Sequence, residues 1–536
     1  MPLPANEKPF FNRSHSLSQL AQTPLWDLVV IGGGATGLGV AVDAASRGLR
    51  TLLLEGSDFA KGTSSRSTKL VHGGVRYLAQ GNIKLVFEAL RERGYLLRNA
   101  PHLVRRQSFV IPCYNYFEQM KYWTGLKLYD WLSVGLSFGA SKLLTAAEVT
   151  ERLPGVRTQG LTGGILYYDG RFDDARLALN LAQTAAREGA TVLNYMQVQG
   201  LLKSDRKISG VIATDLETGT SYELYAKAVV NATGVFVDEV LQLDEPGRAP
   251  LVRPSQGIHL VFDRSFLPGE TALMIPQTSD GRVLFALPWH GQLLVGTTDT
   301  PLNRHALEPV AQEAEIGFVL DNVQRYLARK PQRSDIKSIF AGLRPLAAPH
   351  HAEAATKEIS RDHKLLVAPS GLITITGGKW TTYRKMAEDV LAQVEVLAGL
   401  TPGTCRTREL PIHGAGAVPP TGALQLYGSD AAHIEALVQQ YPELGKPLLT
   451  GHAYLKAEVV WAIQNEMART VEDVLARRLR LLFLDARAAL AAAPGVAQLM
   501  AAELGKDKEW VLLQVQQFEQ VAGRYLPQES ATEVVT

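Results

Sequence analysis

The run Asp27-Leu28-Val29-Val30-Ile31-Gly32-Gly33-Gly34-Ala35-Thr36-Gly37 constrains this chain more than any other stretch. An apolar segment that breaks into glycines and continues as a helix-like segment toward Arg47 reads as a buried strand, a tight turn and a helix N-terminus. Gly32 permits the turn, Gly34 lets backbone approach a pyrophosphate, Ala35 and Thr36 open the helix, and Gly37 lets helix pack on strand. The free N–H groups of the helix's first turn favour negative charge. A second apolar segment, Arg50-Thr51-Leu52-Leu53-Leu54, ends in Glu55. That is about 20 residues after the turn, where an acidic side chain holds ribose hydroxyls. An acidic ribose partner argues against a 2′-phosphorylated nucleotide and leaves NAD or FAD. A glycine turn in any βαβ unit is the plainer reading, so the rest of the chain must decide.

The chain's 536 residues allow two or three domains with a large core. Lys and Arg (55) nearly balance Asp and Glu (53), so the charge gives no reason to expect a nucleic-acid partner. Two cysteines, Cys113 and Cys405, are too few for a disulfide framework or a structural zinc site, which fits a reducing compartment, and no metal site is indicated. Residues 1–24 read as an irregular tail without the apolar core of a secretory signal. No later stretch approaches the roughly 18 uninterrupted apolar residues of a membrane-spanning helix. A cytosolic protein or one attached to a membrane surface is expected.

Past Glu55, the segment from Gly56 to Leu78 is dense in hydroxyls, glycines and cations, a composition suited to a loop around a phosphate-bearing ligand. Ala228-Val229-Val230-Asn231-Ala232-Thr233-Gly234 is a second apolar strand entering a glycine turn, with Ala232 and Gly234 placed to meet the same dinucleotide. Between these segments, Asp173 to Arg187 reads as a helix, and Val192 to Tyr225 as strands turning at Ser209-Gly210 and Thr218-Gly219. Val283–Leu287 and Gln292–Gly296 form the clearest hairpin, belonging to an antiparallel sheet of a substrate domain. Leu372–Thr376, then Gly377-Gly378-Lys379, then a helical stretch to Ala398 repeats the strand–glycine–helix pattern, with Gly378 and Thr381 near an anionic group. Residues 401–423, rich in Gly and Pro, read as a linker, and residues 424–536 as a helical domain with a packing role. Thr470 with Asp473 is suited to cap a helix, and Arg477, Arg478 and Arg480 read as its solvated face.

The run from Gly62 to Leu78, Gly-Thr-Ser-Ser-Arg-Ser-Thr-Lys-Leu-Val-His-Gly-Gly-Val-Arg-Tyr-Leu, closely resembles the flavin-contacting segment of FAD-dependent, quinone-reducing glycerol-3-phosphate dehydrogenases. Tyr168-Asp169-Gly170 with Asp173-Asp174-Ala175-Arg176, Gln256-Gly257-Ile258-His259, Gly296-Thr297-Thr298-Asp299, Gly342-Leu343-Arg344-Pro345-Leu346 and Gly377 to Lys385 resemble the same family in the same order. The resemblance covers nearly everything after residue 25. It implies an α/β chain: a Rossmann-like FAD-binding domain interleaved with an antiparallel-sheet substrate domain over residues 25–400, and a C-terminal helical domain. It also implies non-covalent FAD contacted by Thr63, Ser64, Ser65, Lys69, His72, Gly73 and Gly74.

The implied reaction oxidises sn-glycerol 3-phosphate to dihydroxyacetone phosphate, with hydride passing to flavin N5 and electrons onward to a membrane quinone. A glycerophosphate oxidase using oxygen and releasing peroxide is the alternative. A phosphate-bearing substrate calls for fixed cations, and Arg76, Arg344, Arg361 and Lys379 stand beside glycines, prolines or strand ends. The resemblance favours Arg344, Arg361 and Lys379. His259 is the preferred base, with His72 or a water as rival. A peripheral position on the cytoplasmic face of a membrane follows, with a homodimer one assembly that sequence does not decide. Leu103 to Leu144 mixes cations with aromatics, and Tyr122, Leu126, Tyr129, Leu132 and Leu136 follow helical spacing, so this stripe, with Trp123 and Trp131 beside it, is the expected membrane-docking surface.

Overall fold

A computed structural model describes residues 11–74, 83–132, 139–347, 362–416 and 422–527. Trp26–Ile31 lies in the middle of an eight-stranded sheet, parallel to Thr51–Leu54 on one side and to Ser221–Asn231 on the other. A central parallel strand is covered on both faces, which is why its sequence is an unbroken apolar run. Leu28, Val29 and Val30 are wholly buried. Ile373–Gly377 continues the sheet in parallel beyond Ser221–Asn231, so the three strand–turn segments singled out in the sequence end side by side. Helices Ala35–Ser46, Asp174–Arg187 and Tyr383–Leu397 pack against one another on one face, sharing a core that includes Leu38, Leu177 and Val390.

The second sheet has ten strands, all of its neighbours antiparallel except Ala272–Ile275 beside Arg105–Cys113. Its members come from two stretches inserted between strands of the first sheet, residues 70–171 and 252–347, the interleaved α/β arrangement expected. Val252–Asp263 pairs with Ser338–Ala347 in a register that sets Ser255 opposite Arg344 and His259 opposite Phe340. Because side chains alternate along a strand, His259, Phe340 and Arg344 share one face. Gly257 and Gly342 lie between them in the same register; a Cβ on Gly257 would collide with the Arg344 guanidinium, so glycine there lets the arginine lie flat across the sheet.

Several expectations are corrected. Within the expected irregular tail, Arg13–Gln22 is a helix, anchored by Arg13, whose guanidinium pairs with Asp215 at 2.5 Å and reaches the Asn194 carbonyl at 2.6 Å. The turn expected at Ser209-Gly210 lies inside a strand, Lys207–Asp215; the chain reverses at Asp205 and Arg206, both left-handed, without glycine to signal it. Part of the expected linker is packed, with Leu410 and Ile412 in the core of the first sheet. The C-terminal helices do not keep a core to themselves: Leu475, Leu482 and Phe483 join a cluster with Val261, Trp289 and Phe340 of the second sheet.

Arg477, Arg478 and Arg480 are buried, not solvated. Asp58, Glu472, Asp473 and Asp174 neutralise them, as desolvated guanidinium groups require. The described members of the expected docking stripe, Tyr122, Leu126 and Tyr129, are likewise turned inward, and the side chain of Leu132 lies outside the described residues. On helix Tyr116–Leu132, Leu126 and Tyr129 are buried, Tyr122 and Trp123 pack beside the second sheet's core, and Lys127 lies 4.2 Å over the Trp123 ring. Leu136 lies outside the described residues. The opposite face carries Phe117 (82 % exposed), Met120, Leu128 and Trp131 (70 %) at helical spacing.

Candidate active site

The strand ends of the first sheet open into a cavity of about 520 Å³ whose far wall is the second sheet. Gly32, Gly34, Ala35, Thr36 and Glu55 line it from the first βαβ unit, Thr63, Ser64 and His72 from the following loop, Ala232 and Gly234 from the second strand end, and Gly378, Lys379 and Thr381 from the third. His259 and Arg344 line it from the second sheet. The sequence-predicted residues that lie elsewhere have other work. Gly37 is a packing residue, since a Cβ there would overlap the Gly32 carbonyl. Gly73 gives its N–H to the Tyr129 hydroxyl at 3.0 Å, while Gly74 lines a smaller neighbouring cavity.

Ser65 and Lys69 are corrections to the set of cavity contacts. The Ser65 carbonyl accepts from the Lys69 ammonium at 2.7 Å, and that ammonium, wholly buried, turns to Asp174 at 2.7 Å. Burial, partly opposed by Asp174, brings the Lys69 ammonium down to about 7. Arg76 and Arg361 lie outside the described residues.

The cavity fits a dinucleotide on its own chemistry. Gly32 turns with φ 109°, a left-handed angle that costs glycine nothing, and delivers the helix N-terminus at Ala35 to the wall. Glu55 accepts N–H bonds from Gly33 at 2.6 Å and Ser57 at 2.8 Å, which fixes its carboxylate at the strand end. Burial raises its pKa, with the two N–H groups opposing.

The loop at residues 62–69 is tied to every side of the cavity. Ser64 Oγ accepts from the Ala35 N–H at 2.9 Å, and the Ser64 carbonyl accepts from the Trp380 indole at 2.8 Å. Thr63 Oγ1 donates to the Leu343 carbonyl at 2.7 Å, and Thr68 Oγ1 meets His259 Nε2 at 3.0 Å. His259 Nδ1 is buried without a hydrogen-bond partner, and the ring stacks on Phe340. Burial, with Lys69 and Arg344 adding repulsion, holds the imidazole neutral far below its ordinary range.

The smaller cavity, about 190 Å³, shares Thr68, Leu70, His72, Thr297 and Arg344 with the larger one. Phe109, Tyr167, Met274 and Phe285 give it apolar walls, and Arg344 and Arg282 its cations. Arg344 is aimed by Asp299 at 3.2 Å and by the Thr298 carbonyl at 2.8 Å; Asp299 in turn accepts from Ser255. Sequence reasoning missed Thr68 as a histidine partner and Arg282 as a cation. Arg282 sits in the Ser279-Asp280-Gly281 turn just before the hairpin, and that proximity is the one signal that marks it.

The comparisons agree with this geometry. The family model described as FAD dependent oxidoreductase matches residues 27–384, and that described as C-terminal domain of alpha-glycerophosphate oxidase matches residues 405–511. The mitochondrial glycerol-3-phosphate dehydrogenase of Mus musculus is 39% identical over 98% of this chain and 76% of its own length. The mitochondrial glycerol-3-phosphate dehydrogenase of Arabidopsis thaliana is 40% identical over 92% of this chain and 85% of its own. Among solved structures, the Bacillus halodurans glycerol-3-phosphate dehydrogenase complexed with FAD superposes with a TM-score of 0.79 at 30% identity, covering 97% of this chain and 98% of that one. The family models, the relatives of about 40% identity and the FAD complex matched over nearly the whole chain place this protein in the FAD-dependent glycerol-3-phosphate dehydrogenase family.

Proposed function

We propose that the enzyme oxidises sn-glycerol 3-phosphate in the smaller cavity and passes the electrons to a quinone dissolved in a membrane on whose surface it lies. The observation that carries the first half is the shared wall. A pocket with two arginines and apolar sides opens onto the dinucleotide cavity through Thr68, Leu70, His72, Thr297 and Arg344. Arg344 and Arg282 bind the substrate phosphate, the former with a fork already oriented by Asp299. The secondary hydroxyl is left toward the wall where His259 and His72 stand.

FAD held along Gly34, Ala35, Glu55, Ser64, Ala232 and Gly378 would supply the hydride acceptor. The protein supplies the rest. Neutral His259 takes up the hydroxyl proton at Nε2 by way of Thr68, whose hydroxyl lines both cavities and passes its own proton to the ring as it receives the substrate's, while the C–H bond electrons leave as hydride and the C=O bond forms. The apolar side walls exclude water from that transfer.

Membrane attachment rests on the outer face of helix Tyr116–Leu132. Phe117, Met120, Leu128 and Trp131 form an exposed stripe with Lys121 and Lys127 beside it, a pattern that suits the headgroup boundary. Among the described residues no helix is long and apolar enough to cross a membrane. The cytoplasmic face is the side that the cysteine usage suits. Oxygen remains the competing acceptor, favoured by the match of residues 405–511 to an oxidase domain.

The test adds glycerol 3-phosphate to the holoenzyme without oxygen, then a quinone analogue, then air in a parallel sample. Bleaching of the flavin followed by reoxidation by quinone faster than by oxygen supports the reading; stoichiometric peroxide with no quinone turnover makes the enzyme an oxidase. An Arg344→Lys variant that binds and turns over substrate normally removes Arg344 from the phosphate site. Phe117→Glu with Trp131→Glu releases the protein from anionic liposomes while dye-linked activity persists; unchanged cosedimentation refutes the docking face.

A further inference from the structure

We propose that Arg480, from the C-terminal helical region, is a positioning residue for the flavin site, fixing the loop at residues 62–69 from the side away from the cofactor. The inner side of this loop makes the contacts already described: Ser64 to the helix N-terminus and to Trp380, Thr63 to the Arg344 strand, Thr68 to His259. Its outer side rests on one carboxylate. Asp174 accepts from the Ser67 N–H at 3.0 Å, the Ser67 hydroxyl at 2.7 Å and the Lys69 ammonium at 2.7 Å. Arg480 closes the arrangement by donating to Asp174 at 3.0 Å and to the Ser65 carbonyl at 2.8 Å. The Ser65 carbonyl, one residue from the serine that meets the helix N-terminus, is therefore held by two cations.

The local backbone is shaped to make this contact. Lys69 (φ 62°) and Arg480 (φ 64°) are both left-handed without being glycine, and such angles persist only where surrounding contacts over-determine them. Arg480 follows a π-helical turn, Asp473–Arg478, the sort of irregular winding that re-aims side chains. Two further arginines of that turn grip the same region upstream. Arg477 reaches Asp58 at 2.5 Å, and Arg478 reaches the same carboxylate, three residues beyond Glu55. Burial of Arg480 between Phe483 and Trp289, 4.2 and 5.3 Å from the ring centres, leaves its guanidinium little freedom to move. The helical region thus takes part in the chemistry indirectly, by setting where Ser64 and Thr68 stand.

The experiment compares Arg480→Met and Arg480→Lys with Tyr427→Phe. The last loses a buried hydrogen bond to Glu458 within the C-terminal region and touches nothing in the loop. FAD release is followed by its fluorescence, together with the visible flavin spectrum and the Tm of each holoprotein. Arg480→Met is expected to release FAD at least tenfold faster and to shift the resolved flavin bands, with Arg480→Lys between it and the parent, while Tyr427→Phe lowers Tm without changing release or spectrum. Parent-like release and spectrum in Arg480→Met overturn the proposal. So does equal loss of FAD in Tyr427→Phe at matched Tm, which would make the effect one of general stability. If Arg480→Met does not fold, Arg480→Lys decides: faster release at near-parent Tm supports the role, parent-like release refutes it.

Discussion

Tyr129 accepts a hydrogen bond from the Gly73 N–H and donates its own proton to Asp169, each at 3.0 Å. The same helix whose outer face carries Phe117 and Trp131 is thereby stitched to the wall of the smaller cavity, where Asp169, also paired with Arg93 at 2.6 Å, is a lining residue. Tyr129→Phe removes both bonds and leaves a buried N–H unpaired, which costs about 1–3 kcal/mol. A lower Tm together with a raised KM for substrate is the expected result; a Tm shift with KM unmoved confines Tyr129 to packing.

Glu458 should make stability depend on pH in a direction opposite to most carboxylates. Burial raises its pKa from 4.5 to about 7, against the opposing bonds from the Leu455 N–H and Tyr427. The folded state therefore holds a proton that the unfolded state has lost, so this contribution is complete below pH 4.5 and disappears as pH rises to about 7. Glu458→Gln, which mimics the protonated form, should leave Tm unchanged near pH 4.5 and raise it near pH 8, by no more than about 3 kcal/mol. Thermal scans at the two pH values check the sign.

Two glycines of the first turn should fail in different ways. Gly37→Ala drives a methyl into the Gly32 carbonyl, overpacking that costs about 1–3 kcal/mol in the apoprotein. A Cβ at Gly34 meets only Ser64 Oγ, at 3.1 Å, so Gly34→Val should fold and fail to hold FAD because the side chain enters the pyrophosphate's space. Apoprotein Tm and flavin content after gel filtration separate the two.

A histidine base ordinarily sets an acid limb at about pH 6.5. Burial and the neighbouring Lys69 and Arg344 move that limb far lower. If His259 is the base, His259→Asn lowers kcat about 100-fold or more and leaves the profile between pH 6 and 8 with the parent's shape. A variant that alters that limb instead assigns the titration to His259 in spite of its burial.

The strand–glycine–helix segments were legible because each uses a local rule: a strand buried on both faces must be continuously apolar, and a turn at a phosphate needs glycine. Their convergence at one cavity followed from the βαβ pattern, and the family was legible in motifs kept in order. What sequence concealed depends on partners distant in the chain. Arg477, Arg478 and Arg480 look solvated until Asp58 and Asp174 are brought beside them. Tyr122, Leu126 and Tyr129 have the right spacing for a docking face, but helix Tyr116–Leu132 is apolar on both sides, and periodicity alone does not say which side faces inward. Lys69 belongs to the flavin loop by position, yet its left-handed backbone turns the ammonium outward to Asp174.

The bond from Arg480 to the Ser65 carbonyl joins residues 415 positions apart. A chain growing on the ribosome completes every strand of its nucleotide sheet by Gly377, with Asp174 already holding Ser67 and Lys69, and still lacks the second cation on the Ser65 carbonyl. The contact assigned above to flavin retention is therefore missing from any product that stops short of residue 480, however complete its nucleotide sheet.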